Sequence, residues 1–583
     1  MPSTAPRHRI APTTARRAAA ITLLTLSTLA AGCVGGLDAI DAQTRRLLRQ
    51  TSEGLGPSTR VPPREHPPAG DYERPDQADT SVLTDNPATD ELEWLTAPED
   101  RDVATRLTTY AEEAAGVGGE VRVISLEEAF RLSQISAREF LTAEESYILS
   151  AISVLIQRHL FSPRLFNDTS FFIDGDGENG RFDNVLSVVN DLRVTQRLPY
   201  GGDVEARWIW QATQNLRSSV SERYRQSSSI ALDASIPLMR GAGNVARESL
   251  IQAERNLIYA ARTFERFRRS LLVSIANDYF RLLERKAVIR NQIRQVESLE
   301  TLEEATAARV EAGRLSEFQR NIVANQVLAG KSTLASLRES YILDLDRFKL
   351  RLGLDPTLPI DVTELTFSVP EPETNLVEAT DQALSFRLDL QNARDQLSDA
   401  RRDVTNARND LLPDFDITGG VSVPTDPNDT QGGVLFDFDD TSYRAGVNIG
   451  LPLDRQIERL NVRQATIRLE RALREFDRFR DDVVIDARSA VRSVDLARFS
   501  LNLAERQVEI NRRRLEEQQL KEDTVDQQTL VDSENALLSA QNNRDAARTD
   551  LRNAVLDYLL TTGQLRVGPD GEFDALPGMT PGG

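Results

Sequence analysis

The sequence is poor in the side chains that enzymes use for chemistry. Its 583 residues include three His and one Cys, and only 6% are aromatic. His8 and His66 lie in N-terminal segments that read as a signal and a linker, and His159 has no nucleophile or metal-ligand spacing around it. A single Cys excludes a disulfide within one chain. We therefore expect no catalytic residue, no metal site, no cofactor and no enzyme.

Positive charge is also in deficit. The chain has 70 Lys and Arg against 90 Asp and Glu, and its net charge is −20. An acidic surface repels phosphate backbones, so nucleic acid is not an expected partner. The content of 40% hydrophobic and 27% charged residues is typical of a folded chain with long helices.

The single cysteine, Cys33, lies at the end of an export signal. Four Arg residues precede an apolar stretch over residues 18–31, which is too short to span a bilayer comfortably. This pattern predicts a signal peptide over residues 1–32. LAAGC (29–33) resembles the lipobox of bacterial lipoproteins, which implies that Cys33 is lipidated. Ordinary signal cleavage with a free Cys33 is the alternative.

Composition divides the rest of the chain. Residues 33–100 are rich in Pro and polar side chains, which predicts a disordered linker that extends from a lipid anchor. Ser125 and Glu128 form a capping-box pattern, so a helix should begin there and run to about Leu160. We expect an irregular segment over residues 161–181 and a disordered tail over 568–583. The remaining pattern predicts strands over 183–238 and 413–452, and helices over 244–351, 376–411 and 455–561.

The chain contains an internal duplication. The motif FERFR at residues 264–268 recurs as FDRFR at 476–480, an offset of 212. IPLMRGAG (236–243) precedes the first copy and LPLDRQ (451–456) precedes the second. Because the order of helix, strand pair, long helix, turn and long helix recurs, we predict a first repeat over 101–365 and a second over 366–567.

The last predicted strand shows two faces. One face has Tyr443, Ala445, Val447, Ile449 and Leu451, and the other has residues 444, 446, 448 and 450. A soluble antiparallel sheet also alternates in this way. The clean runs, however, have the length of a tilted membrane strand, about 9–11 residues. We therefore expect the first face to contact lipid and the second to face water.

Two strand pairs cannot close a barrel alone. Membrane barrels have at least about eight strands, and open edges are costly in lipid. Three copies of four strands would give a barrel of twelve. Pro237 and Pro452 would then mark the junctions between strand and helix. The predicted helices of about 65 residues would be about 100 Å long, a reach that an ordinary helical bundle does not need.

These features together resemble one family. The duplication, the two junctions, AGRLSEFQRNIVANQVL (312–328), RLGLDP (351–356) and DLLPDFDITG (410–419) are similar to the TolC-like outer membrane efflux proteins over about residues 123–567. The resemblance implies a mainly helical fold with a small β part. It also implies a homotrimer whose twelve-stranded barrel crosses the outer membrane and continues as a periplasmic helical tunnel. It further implies an exit duct of a tripartite efflux pump or type I secretion system, with a periplasmic adaptor protein and an inner-membrane transporter as partners.

The family's helical hairpins end at a periplasmic tip that closes the tunnel. The resemblance places the first tip at Gly313, Arg314 and Ser316, where a tight turn favours glycine. The second tip departs from this pattern and carries three carboxylates: Glu522, Asp523 and Asp526. Rings of carboxylates favour cations, so we predict an electrostatic gate. A solvated acidic turn is the alternative.

A different class of function stays open. A lipid-anchored periplasmic coiled-coil scaffold without a pore would also need long helices. The alternating strands and the aromatic residues Trp208 and Trp210 favour the channel, because membrane barrels carry aromatic girdles. The sequence does not indicate the cargo, which could be a drug, a metal or a protein.

Overall fold

We describe a computed structural model of the chain. The described residues are 37–55, 122–178, 181–215, 224–356, 358–363, 372–425, 436, 438–520, 526–568 and 573–574. The chain divides into two units, Met1–Gly54 with Val61–Arg101 and Leu55–Arg60 with Asp102–Gly583.

The first unit contributes one described helix, α1 (Leu37–Leu55). The prediction of a disordered linker over the whole of 33–100 is therefore wrong for these residues. The physical reason is in the sequence, since 37–55 contain no proline, and apolar residues recur at helical spacing. Leu47 and Leu48 are buried. Cys33 lies outside the described residues.

The second unit contains long helices and one large sheet. Its helices are α2 (Leu126–Ser136), α3 (Arg138–Leu160), α4 (Glu248–Glu311), α5 (Glu317–Leu352), α6 (Leu376–Phe386), α7 (Leu388–Asn409), α8 (Gln456–Leu520) and α9 (Gln527–Thr561). Its strands are β1 (Arg122–Ile124), β2 (Arg164–Glu178), β3 (Arg181–Arg197), β4 (Asp203–Asn215), β5 (Tyr224–Pro237), β6 (Ile360–Val362), β7 (Asp414–Pro424), β8 (Ser442–Gly450), β9 (Arg566–Val567) and β10 (Phe573–Asp574). α4 and α8 have 64 and 65 residues, which makes each about 100 Å long at 1.5 Å per residue.

The helices repeat in pairs, as the duplication predicts. α2 and α3 correspond to α6 and α7, and each pair is broken by one residue with an extended backbone, Ala137 or Arg387. The glycines that end α5 and α9, Gly353 and Gly563, have φ of 75° and 72° and pack against these breaks. A Cβ on Gly353 would lie 2.0 Å from the carbonyl oxygen of Ser136. The helix predicted to run from Ser125 to Leu160 is therefore broken, because the backbone must make room for this turn.

The sheet has six strands in the order β2-β3-β4-β5-β7-β8, and all neighbours are antiparallel. The prediction of two strand pairs per chain is therefore wrong, since the first repeat supplies four strands. The segment 161–181, predicted to be irregular, forms most of β2. Its alternation is hidden because Phe171, Phe172 and Ile173 are consecutive and fall on both faces.

An extra hairpin accounts for the difference. α3 and α7 begin at Arg138 and Leu388, 250 residues apart, whereas α5 and α9 begin at Glu317 and Gln527, only 210 apart. The first repeat thus has 40 more residues between these points, enough for one hairpin and its turn. This hairpin is β2–β3, and the turn that joins β3 to β4 uses Gly201 and Gly202, with φ of 106° and 86°.

Part of the core of the second unit is formed by aromatic side chains of the first repeat. Phe264 of α4 packs between the rings of Phe140 and Tyr147 of α3, at centroid distances of 5.5 and 5.6 Å. The hydroxyl of Tyr279 donates to the carbonyl of Thr363, at 2.8 Å, beside the parallel pair β1–β6. Near the C-terminus, β10 pairs with β9, so two residues of the predicted disordered tail form a strand.

Candidate functional site

The six-stranded sheet has one continuous apolar face. Directly paired residues of neighbouring strands lie on the same face of a sheet. The register therefore places apolar side chains of all six strands, from β2 to β8, on one face. Members of this face include Leu165, Phe171, Ile173, Leu186, Val188, Leu192, Val194, Ala206, Trp208, Trp210, Ile230, Leu232, Ile236, Phe415, Ile417, Val421, Tyr443, Ala445, Val447 and Ile449. Many are exposed in the single chain, for example Phe171 (72%) and Ile173 (73%).

The few polar groups on the apolar face bond to one another. Asn190 donates to the side chains of Asn167 and Thr169, at 2.9 and 2.7 Å. The indole N–H of Trp208 donates to the hydroxyl of Ser228, at 2.6 Å. Polar groups that satisfy each other in this way can enter an apolar medium at lower cost than unpaired groups.

The opposite face is mostly polar and carries ion pairs. Arg207 of β4 bonds to Asp191 of β3, with its Nε 2.9 Å from Oδ1. Arg193 pairs with Asp168 of β2, at 2.9 Å, and also with Asp191, at 3.4 Å. These pairs tie β2, β3 and β4 together on one side of the sheet.

A glycine makes room for another ion pair on the polar face. Arg444 of β8 reaches Asp233 of β5, at 2.7 Å, across the intervening strand β7. Between them lies Gly420, which pairs with both residues in the register. A Cβ on Gly420 would lie 2.3 Å from Oδ1 of Asp233, so a side chain there would displace the ion pair.

The two proline junctions lie at the ends of strands. Pro237 is the last residue of β5, and the next residue donates its backbone N–H to the carbonyl of Phe415, at 2.8 Å. Pro452 lies two residues after β8, and α8 begins four residues later. Arg455 holds this turn, because its side chain donates to the carbonyls of Pro452 and Leu411, at 3.1 and 2.8 Å. Leu451 is exposed just beyond β8.

The first hairpin end has the geometry that its sequence predicts. Gly313 has φ of 69°, and Arg314 donates its backbone N–H to the carbonyl of Arg309, at 2.8 Å. Ser316 caps α5 in a reciprocal capping box with Gln319. Both Gly313 and Arg314 are exposed.

The second hairpin end is described only in part. Asp526 precedes α9 with an extended backbone, and its side chain makes no capping bond. Its Oδ1 accepts from the side chain of Gln319, at 3.3 Å, so the two hairpin ends are in contact. Glu522 and Asp523 lie outside the described residues.

Most of the second repeat matches a known protein family. Residues 379–564 match the model of the outer membrane efflux protein family. This match covers about a third of the chain. The match extends from α6 to the end of the last long helix, and the predicted TolC-like family is confirmed.

Several solved structures resemble this chain in fold. The outer-membrane channel OprN is 17% identical, with a TM-score of 0.57, and the match covers 75% of this chain and 89% of OprN. The CmeC outer membrane channel of Campylobacter jejuni is 14% identical, with a TM-score of 0.58, and covers 77% and 91%. The outer membrane protein VceC of Vibrio cholerae is 14% identical, with a TM-score of 0.57, and covers 75% and 96%. No curated protein sequence matches the chain significantly.

The chain also carries a buried polar seam that the sequence patterns did not predict. Asn291 of α4 donates to the side chains of Asn542 and Asp545 of α9, at 2.9 and 3.0 Å. Further along, Ser298 donates to Glu534 of α9, at 2.7 Å. Burial raises the pKa of Glu534, and the bond from Ser298 lowers it by less. The sequence signal for this seam is the recurrence of polar residues at helical spacing along α4.

The surface of α8 that is equivalent to the polar seam of α4 is apolar. Leu496, Phe499, Leu503 and Ile510 of α8 form an exposed stripe, which we call the α8 stripe. Their successive spacings of 3, 4 and 7 residues place them on one helical face. Nothing within the described part of the chain covers this stripe.

The described residues lack two features. Among them, no helix combines the length and the apolar character needed to cross a bilayer. Nor do their His, Cys, Asp and Glu side chains cluster in a way that could hold a metal ion.

Proposed function

We propose that the chain is one subunit of an outer-membrane exit duct. Three copies would share one β-barrel in the outer membrane, and the helices would continue it as a periplasmic tunnel. The family match supports this proposal, and so do the matches to proteins named as outer-membrane channels. The duct would export small molecules or proteins and would catalyse nothing.

The observation that carries the proposal is the two-faced sheet with two open edges. An apolar face that crosses all six strands suits lipid, and the ion-paired face suits a water-filled bore. Among the described residues, no strand pairs with the outer edge of β2 or of β8. Because unpaired strand edges are costly in lipid, further copies of the chain would have to cover them.

The predicted site residues receive roles within this proposal. Tyr443, Ala445, Val447, Ile449 and Leu451 would contact lipid. Pro237 and Pro452 would mark the junctions between the barrel strands and the tunnel helices. The hairpin ends would meet a periplasmic adaptor protein, and an inner-membrane transporter would supply the cargo.

Alternating cysteine substitutions test the barrel. Ala445→Cys and Val447→Cys lie on the apolar face of β8, and Gly446→Cys and Asn448→Cys are their matched neighbours on the other face. In membranes, a water-soluble, membrane-impermeant maleimide should label the second pair and spare the first. Equal labelling of all four would contradict the barrel and favour the scaffold without a pore.

The acidic residues at the second hairpin end are proposed as an electrostatic gate. Three copies of Glu522, Asp523 and Asp526 would place nine carboxylates at one entrance. Neutralising all three, as Glu522→Gln, Asp523→Asn and Asp526→Asn, should lower the preference of the pore for cations. An unchanged ratio of cation to anion permeability would refute the gate but leave the duct standing.

Lipidation of Cys33 is proposed from the lipobox-like segment. Mass spectrometry of the mature N-terminus should show an acylated Cys33, with residues 1–32 removed. An unmodified thiol at Cys33 would establish ordinary cleavage instead.

A further inference from the structure

We propose that the membrane barrel of this protein has eighteen strands, six from each of three copies. The inference rests on the proposed trimeric duct but goes beyond it, because the family resemblance implies only twelve strands. The additional six come from the β2–β3 hairpin, which has no counterpart among the described residues of the second repeat.

The hairpin is part of the sheet rather than an appendage. β3 pairs with β4 over thirteen residues without interruption, from Val185 with Asn215 to Arg197 with Asp203. The Arg207–Asp191 ion pair joins the same two strands. A barrel of twelve strands would need β4 to leave β3 and pair with a neighbouring copy, which would break this register.

Both hairpin strands share the two faces of the sheet. Leu165, Phe171 and Ile173 of β2 lie on the apolar face, and all are exposed in the single chain. On the polar face, Asp168 pairs with Arg193. A hairpin that projected into water would expose this apolar row at a cost, whereas lipid contact removes it from water.

The strand directions permit closure. Six antiparallel strands alternate in direction, so β8 of one copy runs opposite to β2 of the next. A β8–β2 contact between copies therefore continues the antiparallel pattern and covers both free edges. An insertion of one hairpin, which adds strands in pairs, preserves this alternation.

The added strands change the width of the barrel. With strands about 4.8 Å apart and tilted by about 40°, eighteen strands give a circumference of about 113 Å, and twelve give about 75 Å. Four helices per copy, at about 8–10 Å each, give a helical cylinder of about 96–120 Å. The wider barrel meets this cylinder with little change of width. Selection of cargo by size would then fall to the hairpin ends rather than to the barrel.

Distances between spin labels in the full-length protein in lipid nanodiscs test the strand number. Val447→Cys places one label per copy on the apolar face of β8. Equivalent backbone positions in a trimer should lie about 31 Å apart for eighteen strands and about 21 Å for twelve. The label adds the same outward reach in both cases, so the difference of about 10 Å is retained.

A second label separates this inference from the proposed function. Glu304→Cys lies exposed on α4, far along the chain from the strands, and should give one discrete distance if three copies assemble. The parent chain, with Cys33 alone, controls for background labelling. Without a discrete distance at position 304, the trimeric duct itself would be refuted. A discrete distance there, together with the shorter distance at position 447, would refute only the eighteen strands.

Discussion

The two repeats share their helices but differ in their strands. Each repeat has a broken helix, a helix of 64 or 65 residues and a helix of 35 or 36 residues. The first repeat, however, supplies four strands of the sheet and the second supplies two. The helical part constrains both repeats to one geometry, whereas an antiparallel sheet can accept an additional hairpin at its edge without disturbing its neighbours.

The repeats also differ in what equivalent helix surfaces contact. The 212-residue offset between Phe264 and Phe476 places Asn291 on Leu503, and Ser298 on Ile510. In α4 these positions form the polar seam with α9, whereas in α8 they belong to the exposed α8 stripe. At these positions the contact within one chain is polar, whereas the surface that we propose a second copy covers is apolar, as expected for an association driven by hydrophobic burial.

The duplicated motif itself has diverged, and its first copy should be the most sensitive position. Arg268 is fully buried, bonds to Glu265 and donates to the carbonyls of Val567 and Gly568. Arg268→Met would remove one of the cationic partners of the buried Glu265 carboxylate and should lower the free energy of unfolding by about 3–5 kcal/mol. Arg480→Met, at the equivalent position of the second copy, where the side chain is exposed, should cost at most about 1 kcal/mol. Denaturant midpoints in detergent would measure both, and equal losses would contradict the asymmetry.

Charges on the α8 stripe should break the assembly. Leu503→Asp with Ile510→Asp places two carboxylates on the surface that we assign to a second copy, where burial of unpaired charge is unfavourable. Association should weaken by about 3 kcal/mol, or roughly a hundredfold. Arg512→Asp changes charge on the same helix outside the stripe and is the matched control. Native mass spectrometry should show trimers for the control and free chains for the double variant; trimers in both would exclude the α8 stripe from the interface.

The polar seam should give stability a pH dependence through Glu534. Burial raises the pKa of Glu534 above its ordinary value of 4.5. In the pH interval between 4.5 and this raised pKa, the folded state therefore binds more protons than the unfolded state. The contribution of this group to stability therefore falls as pH rises through that interval. Glu534→Gln keeps an acceptor for Ser298 and should raise the unfolding midpoint at pH 7, with the gain vanishing in acid. The exposed Glu297→Gln is the control, and a gain that persists in acid would exclude titration as the cause.

The smallest effect is expected at the glycine in β7. Gly420→Ala should displace the Arg444–Asp233 ion pair, which is exposed and contributes no more than about 1 kcal/mol. Gly419→Ala is an adjacent control, because its Cβ would approach no atom closer than 3.9 Å. Thermal midpoints that fall for Gly420→Ala alone would support the space requirement, and the same fall for both would indicate a general loss of backbone freedom.

Local sequence patterns predicted much of the helical part. The cap at Ser125, the positive φ at Gly313 and the helix boundaries near 352 and 561 all follow from residue types whose effect is local. The two faces of β8 could be predicted equally well, because apolar residues alternate there with polar or small ones without a break. β2 was missed because consecutive aromatic residues conceal the period, and its register depends on a partner strand.

The contacts between distant segments could not be predicted in the same way. The polar seam joins residues more than 230 positions apart, and the sequence indicates only that polar side chains recur along α4. Likewise, the ion pair across Gly420 requires the register of three strands at once. Such contacts depend on the assembled fold rather than on local preference.

Single-channel recording tests the central claim most directly, namely that the two-faced sheet encloses a water-filled pore. Purified full-length protein added to a planar lipid bilayer should insert and give discrete conductance steps with a preference for cations. The double variant of the α8 stripe, which should not assemble, should give none. Absence of steps from the parent protein, with its trimer intact, would contradict the claim.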